Sequence, residues 1–282
     1  MFCCFREAHN HISADGKIRL LRMDFAGNKL AEQCLSLPGV DLRDPKLSIT
    51  ADGKLLLLAY ARHTRADNST LFGQPVNYLS TDGHSWSSPR YFADKNWWLW
   101  RLRWHKGQAM GFAYNRGQQA LNLYQGDPRR TFNLIHPKAF SLAKQGKGYP
   151  NESDIVFSDD DTAYALIRRD ADTCTAQLGR ASPPYTRWHW VDLGEYIGGP
   201  VMLKLDSGKV VVAGRYWQGL QPRTAIFELA LATAKLQLKL VLPSAGDCSY
   251  PGLLVKDNTL YMSYYSSHID NKSNIYLAKI SL

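Results

Sequence analysis

The chain has no uninterrupted apolar run of eighteen residues, which leaves no candidate for a membrane-spanning helix and none for a membrane partner. Its first residues, Met1-Phe2-Cys3-Cys4-Phe5-Arg6, lack the long apolar region of a secretory leader, so the expected location is cytoplasmic. Cysteine is scarce and odd in number: Cys3, Cys4, Cys34, Cys174 and Cys248, with no CxxC pair. That pattern argues against a disulfide framework and a structural zinc site, and it reads as small buried hydrophobes instead. His9, His11 and His268 have no Cys/His/Asp neighbours at a ligand spacing, so no metal and no other cofactor is expected. There is also no RNA-binding signature and no dense Lys/Arg run, so nucleic acid is not an expected partner. A formal net charge of +9 still favours anionic partners in general.

What the chain does contain is a repeat. Gly199 to Tyr216, GPVMLKLDSGKVVVAGRY, has two apolar runs around a turn at Asp206-Ser207-Gly208, the pattern of a β-hairpin. Asp44 to Arg62 repeats it around Asp52-Gly53, Tyr250 to Ser266 around Asp257-Asn258, and Glu152 to Arg169 around Asp159 to Asp161. Trp100 to Asn115 follows more loosely around Lys106-Gly107. With a less regular first unit these make six, and no long helix interrupts them. An all-β, six-bladed β-propeller forming one domain over residues 1–282 is therefore expected. The last unit shows three clear strands, so an N-terminal segment is expected to help close the ring.

The register of the repeat brings chemistry together. Counting seven back from each turn puts Glu152, Gly199 and Tyr250 in one position, and Asp44, which precedes Pro45 as Tyr250 precedes Pro251, joins them with a one-residue offset. Counting nine forward puts Arg168 and Arg215 in a second position, where Tyr265 and His268 lie nearby in the last unit. In a propeller these positions are expected to ring one mouth of the central channel. The plainer alternative is that they form structural ion pairs between blades. Trp97, Trp98, Trp100 and Trp104 fall within eight residues, either packing the blade core or, through Trp100, offering an indole face to a sugar. Gly198-Gly199 is either a tight turn or a place where an absent side chain leaves room for substrate.

Ser80-Thr81-Asp82-Gly83-His84-Ser85-Trp86 resembles a shortened Asp-box, the turn found between outer strands of sialidase-like blades. Physically it is a turn whose Asp82 carboxylate accepts backbone N–H bonds while Trp86 packs beneath. Taken with the order Arg6, Asp44 or Asp41, Glu152, Arg168, Arg215 and Tyr250, the whole chain resembles the sialidase (neuraminidase) superfamily. The resemblance implies an exo-acting, retaining glycoside hydrolase for an acidic sugar. Tyr250 would be the nucleophile, Glu152 its base, and Asp44 or Asp41 the acid/base. Arginine forks from Arg6, Arg168 and Arg215 suit a substrate carboxylate, and a neutral tyrosine avoids the repulsion that a carboxylate nucleophile would meet. Two alternatives stay open: a non-catalytic propeller that binds an anionic glycan or a protein, and a polysaccharide lyase acting on a uronic acid.

Overall fold

Alternating short apolar runs and turn residues give strands almost throughout the computed structural model, which describes residues 1–67 and 69–282. The first sheet contains β1 (Phe2–Glu7), β2 (Lys17–Met23) and β3 (Lys29–Leu35). The second contains β4 (Val40–Ile49), β5 (Leu55–Thr64), β6 (Thr70–Ser80) and β7 (Arg90–Tyr91). The third contains β8 (Trp98–Leu99), β9 (Arg103–His105), β10 (Gln108–Asn115), β11 (Ala120–Gly126) and β12 (Phe132–Ser141), followed by a single helical turn, α1 (Leu142–Gln145).

The fourth sheet contains β13 (Pro150–Phe157), β14 (Ala163–Arg169), β15 (Gln177–Ala181) and β16 (His189–Asp192). The fifth contains β17 (Gly198–Lys204), β18 (Val210–Gln218), β19 (Gln221–Ala230) and β20 (Lys235–Leu242), and the sixth β21 (Ser249–Lys256), β22 (Thr259–Ser266) and β23 (Asn274–Ser281). Each is a meander of antiparallel neighbours, and together they make an all-β, six-bladed propeller. Among the described residues, the expected N-terminal closure by strand addition is not found. β1 pairs with β2 in a sheet of its own, and the last sheet holds β21, β22 and β23 alone.

The turns form where glycine or a short polar side chain accepts positive φ. Gly53, Gly107 and Gly208 have φ of 79°, 81° and 81°, and Asp257 and Asn258 adopt 49° and 56°. Four turns among the described residues share a hydroxyl two residues before an aspartate: Thr50 donates to Asp52 at 2.7 Å, Ser80 to Asp82 at 3.0 Å, Ser158 to Asp160 at 2.5 Å, and Ser13 to Asp15. Asp82 also accepts the backbone N–H groups of His84 and Ser85 at 2.7 and 2.8 Å, which hold its pKa down at about 2. Trp86 packs against a core of Ile18, Leu42, Leu57 and Val76, its indole N–H bonded to Gln33 at 2.8 Å.

The chain divides into two compact units, Met1–Asn115 with Asn122–Pro137, and Arg116–Leu121 with Lys138–Leu282. In the second unit, inner strands are joined through a buried carboxylate. Asp154, 1% exposed on β13, accepts the N–H of Met202 on β17 at 2.7 Å, beside a core of Val156, Leu166, Met202, Val212 and Phe227. Val201, Ala213, Leu260 and Met262 fill the next layer.

Candidate active site

Four strands, β4, β13, β17 and β21, carry a β-bulge, and the bulges set the positions of Asp44, Glu152, Gly199 and Tyr250. In β4 the extra pair is Asp44-Pro45, in β17 Gly199-Pro200 and in β21 Tyr250-Pro251. Asp44, Gly199 and Tyr250 are each the first residue of the bulge and left-handed, at φ 49°, 60° and 51°. In β13 the bulge is Asn151-Glu152, so Glu152 takes the second place, where the other blades have proline. The expected equivalence of Glu152 with Gly199 and Tyr250 is thus off by one residue, because this bulge lies one step further from its turn.

Within the second unit, Glu152, Arg168, Arg215, Tyr250 and Tyr265 converge. The Tyr250 hydroxyl donates to Glu152 Oε1 at 2.6 Å. Arg168 Nη1 donates both to Glu152 Oε2 and to the Tyr250 oxygen, each at 2.7 Å. The backbone N–H of Gly199 completes the hold on Oε2 at 2.7 Å. Arg168 Nε is anchored by Asp170 at 2.9 Å, and its guanidinium lies 5.4 Å from the Tyr196 ring centre. Arg215 approaches from the other side, 5.2 Å over the Tyr250 ring. It donates to the Cys248 carbonyl at 3.0 and 2.9 Å, to the Tyr265 hydroxyl at 3.0 Å, and to Asp247.

Electrostatics keep the two arginines charged around a neutral phenol. Burial, and then the Glu152 carboxylate, push the Tyr250 pKa well above the ordinary phenol value, against the opposing pull of Arg168 and Arg215. Burial also raises Tyr196 and Tyr265, whose nearby arginines only partly offset it. Burial opposes the charge on Arg168, but Glu152, Tyr250, Tyr196 and Asp170 hold its pKa above the usual guanidinium range. Arg215 is likewise disfavoured by burial and raised by Tyr265, Tyr250 and Asp247. Arg168 Nη2 and Arg215 Nη1 have no hydrogen-bond partner among the described residues.

Two glycines make the cluster possible. A Cβ on Gly199 would stand 2.9 Å from the Tyr250 ring, and one on Gly198 would stand 2.8 Å from the Tyr196 hydroxyl. The space at Gly198-Gly199 is therefore filled by two tyrosines of the protein itself, correcting the expectation of room for substrate. Arg169, beside Arg168, turns into the protein at 0% exposure and binds Asp172 at 2.6 Å with the carbonyls of Gly148, Ala171 and Thr175. His268 lies tilted by 40° against Tyr276, ring centres 4.5 Å apart, and meets Ser266 at 3.0 Å.

The remaining expected site residues belong to the first unit. Asp41 is the hub of an ion-pair cluster, with Arg6 Nε at 2.7 Å, Arg43 Nε at 3.6 Å and Arg62 Nη1 at 3.8 Å. It is 0% exposed, and Gly16 has no side chain because a Cβ there would collide with its carboxylate. A fully enclosed carboxylate cannot touch a substrate, so Asp41 is structural. Arg6 is spent on Asp41 and on the Asn10 carbonyl at 3.2 Å, while Glu7 pairs with Lys17 and Arg19. The Asp44 carboxylate has no hydrogen bond or ion pair to any described residue. Trp100 is a core residue, 1% exposed, with Lys46 Nζ 3.5 Å over its ring, and it offers no face to a sugar.

Tyr196, Asp170, Asp247 and the Gly199 N–H were not anticipated. Tyr196 had a signal, an aromatic residue two positions ahead of the glycine pair opening the fifth unit; a backbone donor leaves none. Among the described residues no group of three His, Cys, Asp or Glu side chains is placed to hold a metal ion.

No family model matches the sequence, and no curated protein sequence is similar to it. Solved structures are. A protein of unknown function from Dyadobacter fermentans is similar over 100% of this chain and 91% of its own, at 17% identity and a TM-score of 0.84. An α-L-arabinanase of Penicillium chrysogenum, solved with arabinobiose, is similar over 94% of this chain and 85% of its own, at 13% identity and a TM-score of 0.70. A polysaccharide lyase is similar over 98% of this chain and 71% of its own, at 11% identity and a TM-score of 0.57. At such identities the likeness establishes the fold, a propeller with structural neighbours among glycoside hydrolases and a polysaccharide lyase.

Proposed function

We propose that the second unit carries the active site of a glycoside hydrolase for an acidic sugar, with Tyr250 as nucleophile in a retaining mechanism. The observation that carries this is the 2.6 Å hydrogen bond from the Tyr250 hydroxyl to Glu152 Oε1. A neutral phenol attacks poorly, and the raised pKa of Tyr250 keeps it neutral at rest. Its proton passes to Glu152 as the oxygen bonds to the anomeric carbon and the leaving group departs. Arg168 Nη1 points at that oxygen and stabilises the negative charge developing on it. Water then cleaves the tyrosyl glycoside, giving up to solvent the proton that the leaving-group oxygen took from it, Glu152 returns its proton to the phenolate, and the sugar leaves with its configuration retained. Arg168 Nη2 and Arg215 Nη1 are available to the sugar carboxylate.

The test is to incubate the protein with a fluorinated acidic glycoside, which slows breakdown of the intermediate, and to map the adduct by mass spectrometry. Label on the Tyr250 peptide supports the assignment; label elsewhere, or turnover undiminished in Tyr250→Phe, defeats it. The same pair also suits β-elimination on a uronic acid, favoured by the Arg168 N–H bonded to the Tyr250 oxygen. There the Tyr250 phenol would pass its own proton to Glu152 as its oxygen takes the proton next to an arginine-neutralised carboxylate, and the leaving group would depart from the adjoining carbon with a proton from solvent. Ultraviolet absorbance from an unsaturated product separates elimination from hydrolysis. Absence of both, with acidic-glycan binding retained, would leave a non-catalytic binding propeller.

A further inference from the structure

The hairpin formed by β18 and β19 carries an exposed aromatic group beside the reactive cluster. Side chains two apart on a strand share a face, so Trp217 stands on the same side of β18 as Arg215. Pairing runs on to Gln218 and Gln221, leaving Gly219 and Leu220 as the tip. Trp217 is 45% exposed and Leu220 95%. The Trp217 indole lies 6.2 Å from the Tyr196 ring at 54°, and Tyr196 in turn lies against Arg168. The Trp217 N–H has no hydrogen-bond partner among the described residues. A large apolar ring with a free donor, exposed at a hairpin tip and joined by ring contacts to Arg168, is costly to leave bare unless something covers it.

We infer that Trp217, with Tyr196 and the Leu220 tip, is a subsite for the neutral sugar that adjoins the acidic residue of the substrate. An indole face is electron-rich and matches the C–H face of a pyranose, while its N–H can donate to a ring hydroxyl. Continuity with the arginine-flanked Tyr250 selects a sugar over a protein partner, because a substrate chain held at Arg168 has its next unit within reach of Tyr196 and Trp217. The substrate is thus an oligosaccharide or polysaccharide rather than a simple acidic glycoside. The inference rests on the acidic-sugar reading of the Tyr250 site.

Calorimetry on the full chain tests it with two probe pairs, N-acetylneuraminic acid against sialyllactose, and glucuronic acid against a hyaluronan tetrasaccharide. The oligosaccharide of one pair is expected to bind about tenfold more tightly than its monosaccharide. Trp217→Ala should abolish that gain, Trp217→Phe should keep most of it, and monosaccharide affinity should be unchanged in both. A gain that survives in Trp217→Ala overturns the subsite while the acidic-sugar site stands, and so does an equal loss for monosaccharide and oligosaccharide. Failure of every acidic sugar to bind the unaltered protein overturns the acidic-sugar site and the subsite with it. Unchanged thermal melting of the exposed-site variants excludes misfolding as the cause.

Discussion

At the scale of single residues, the proposed mechanism makes Tyr250 and Glu152 one unit. Tyr250→Phe removes the oxygen proposed as nucleophile with little change in volume, and turnover of an acidic glycoside should fall by roughly 10³-fold or more. Glu152→Gln should cost about 10²–10⁴-fold, and steady-state kinetics of the double variant should show it little worse than the poorer single one. Asp247, 59% exposed by side chain, occupies Arg215 and, under the proposed function, would compete with an incoming carboxylate. Asp247→Asn should therefore tighten binding of a free acidic sugar by roughly two- to fivefold in calorimetry, whereas Arg215→Lys should weaken it because the planar fork is lost. Residue types at the cluster were legible in the sequence, since spacing from the turns brought Glu152, Arg168, Arg215 and Tyr250 together. Exposure was not. The dense tryptophans drew attention to Trp100, yet density says nothing about which face of a strand meets solvent, and the exposed indole is the isolated Trp217.

At the scale of elements, the bulge is the part that matters. It places Tyr250 in a left-handed conformation that L-residues rarely adopt, at a cost of roughly 1–3 kcal/mol that the surrounding sheet must offset. At the equivalent position in β17 only glycine fits. Gly199→Ala combines φ of 60° with a Cβ 2.9 Å from the Tyr250 ring, so the urea midpoint should drop by the equivalent of roughly 1–3 kcal/mol and activity should fall with it. Hairpins and turns were readable because apolar alternation and positive-φ residues are local. Bulge position was not, since one extra residue leaves alternation intact on either side. The Asp-Pro, Gly-Pro and Tyr-Pro pairs were its only trace, and β13 breaks the pattern with Asn151-Glu152.

At the scale of the whole molecule, net charge and buried phenols set the response to solution conditions. With a formal charge of +9, kcat/KM for an acidic substrate should fall severalfold as salt shortens the Debye length from about 30 Å to about 8 Å, while a neutral analogue is unaffected. Burial raises the pKa of Tyr60, Tyr78, Tyr124, Tyr196, Tyr250 and Tyr265. A raised folded-state pKa means stability that is intact below about pH 10 and lost as pH climbs toward the folded values. Chemical denaturation across that range should show a steep alkaline decline that Tyr250→Phe makes shallower. The contacts of Glu152 also have an order in time. During synthesis its first partner, Arg168, follows after 16 residues, the Gly199 N–H after 47, and Tyr250 only after 98. At ribosomal rates that last interval is roughly 5–20 s. The carboxylate can thus be paired and oriented well before the hydroxyl that donates to it has left the ribosome.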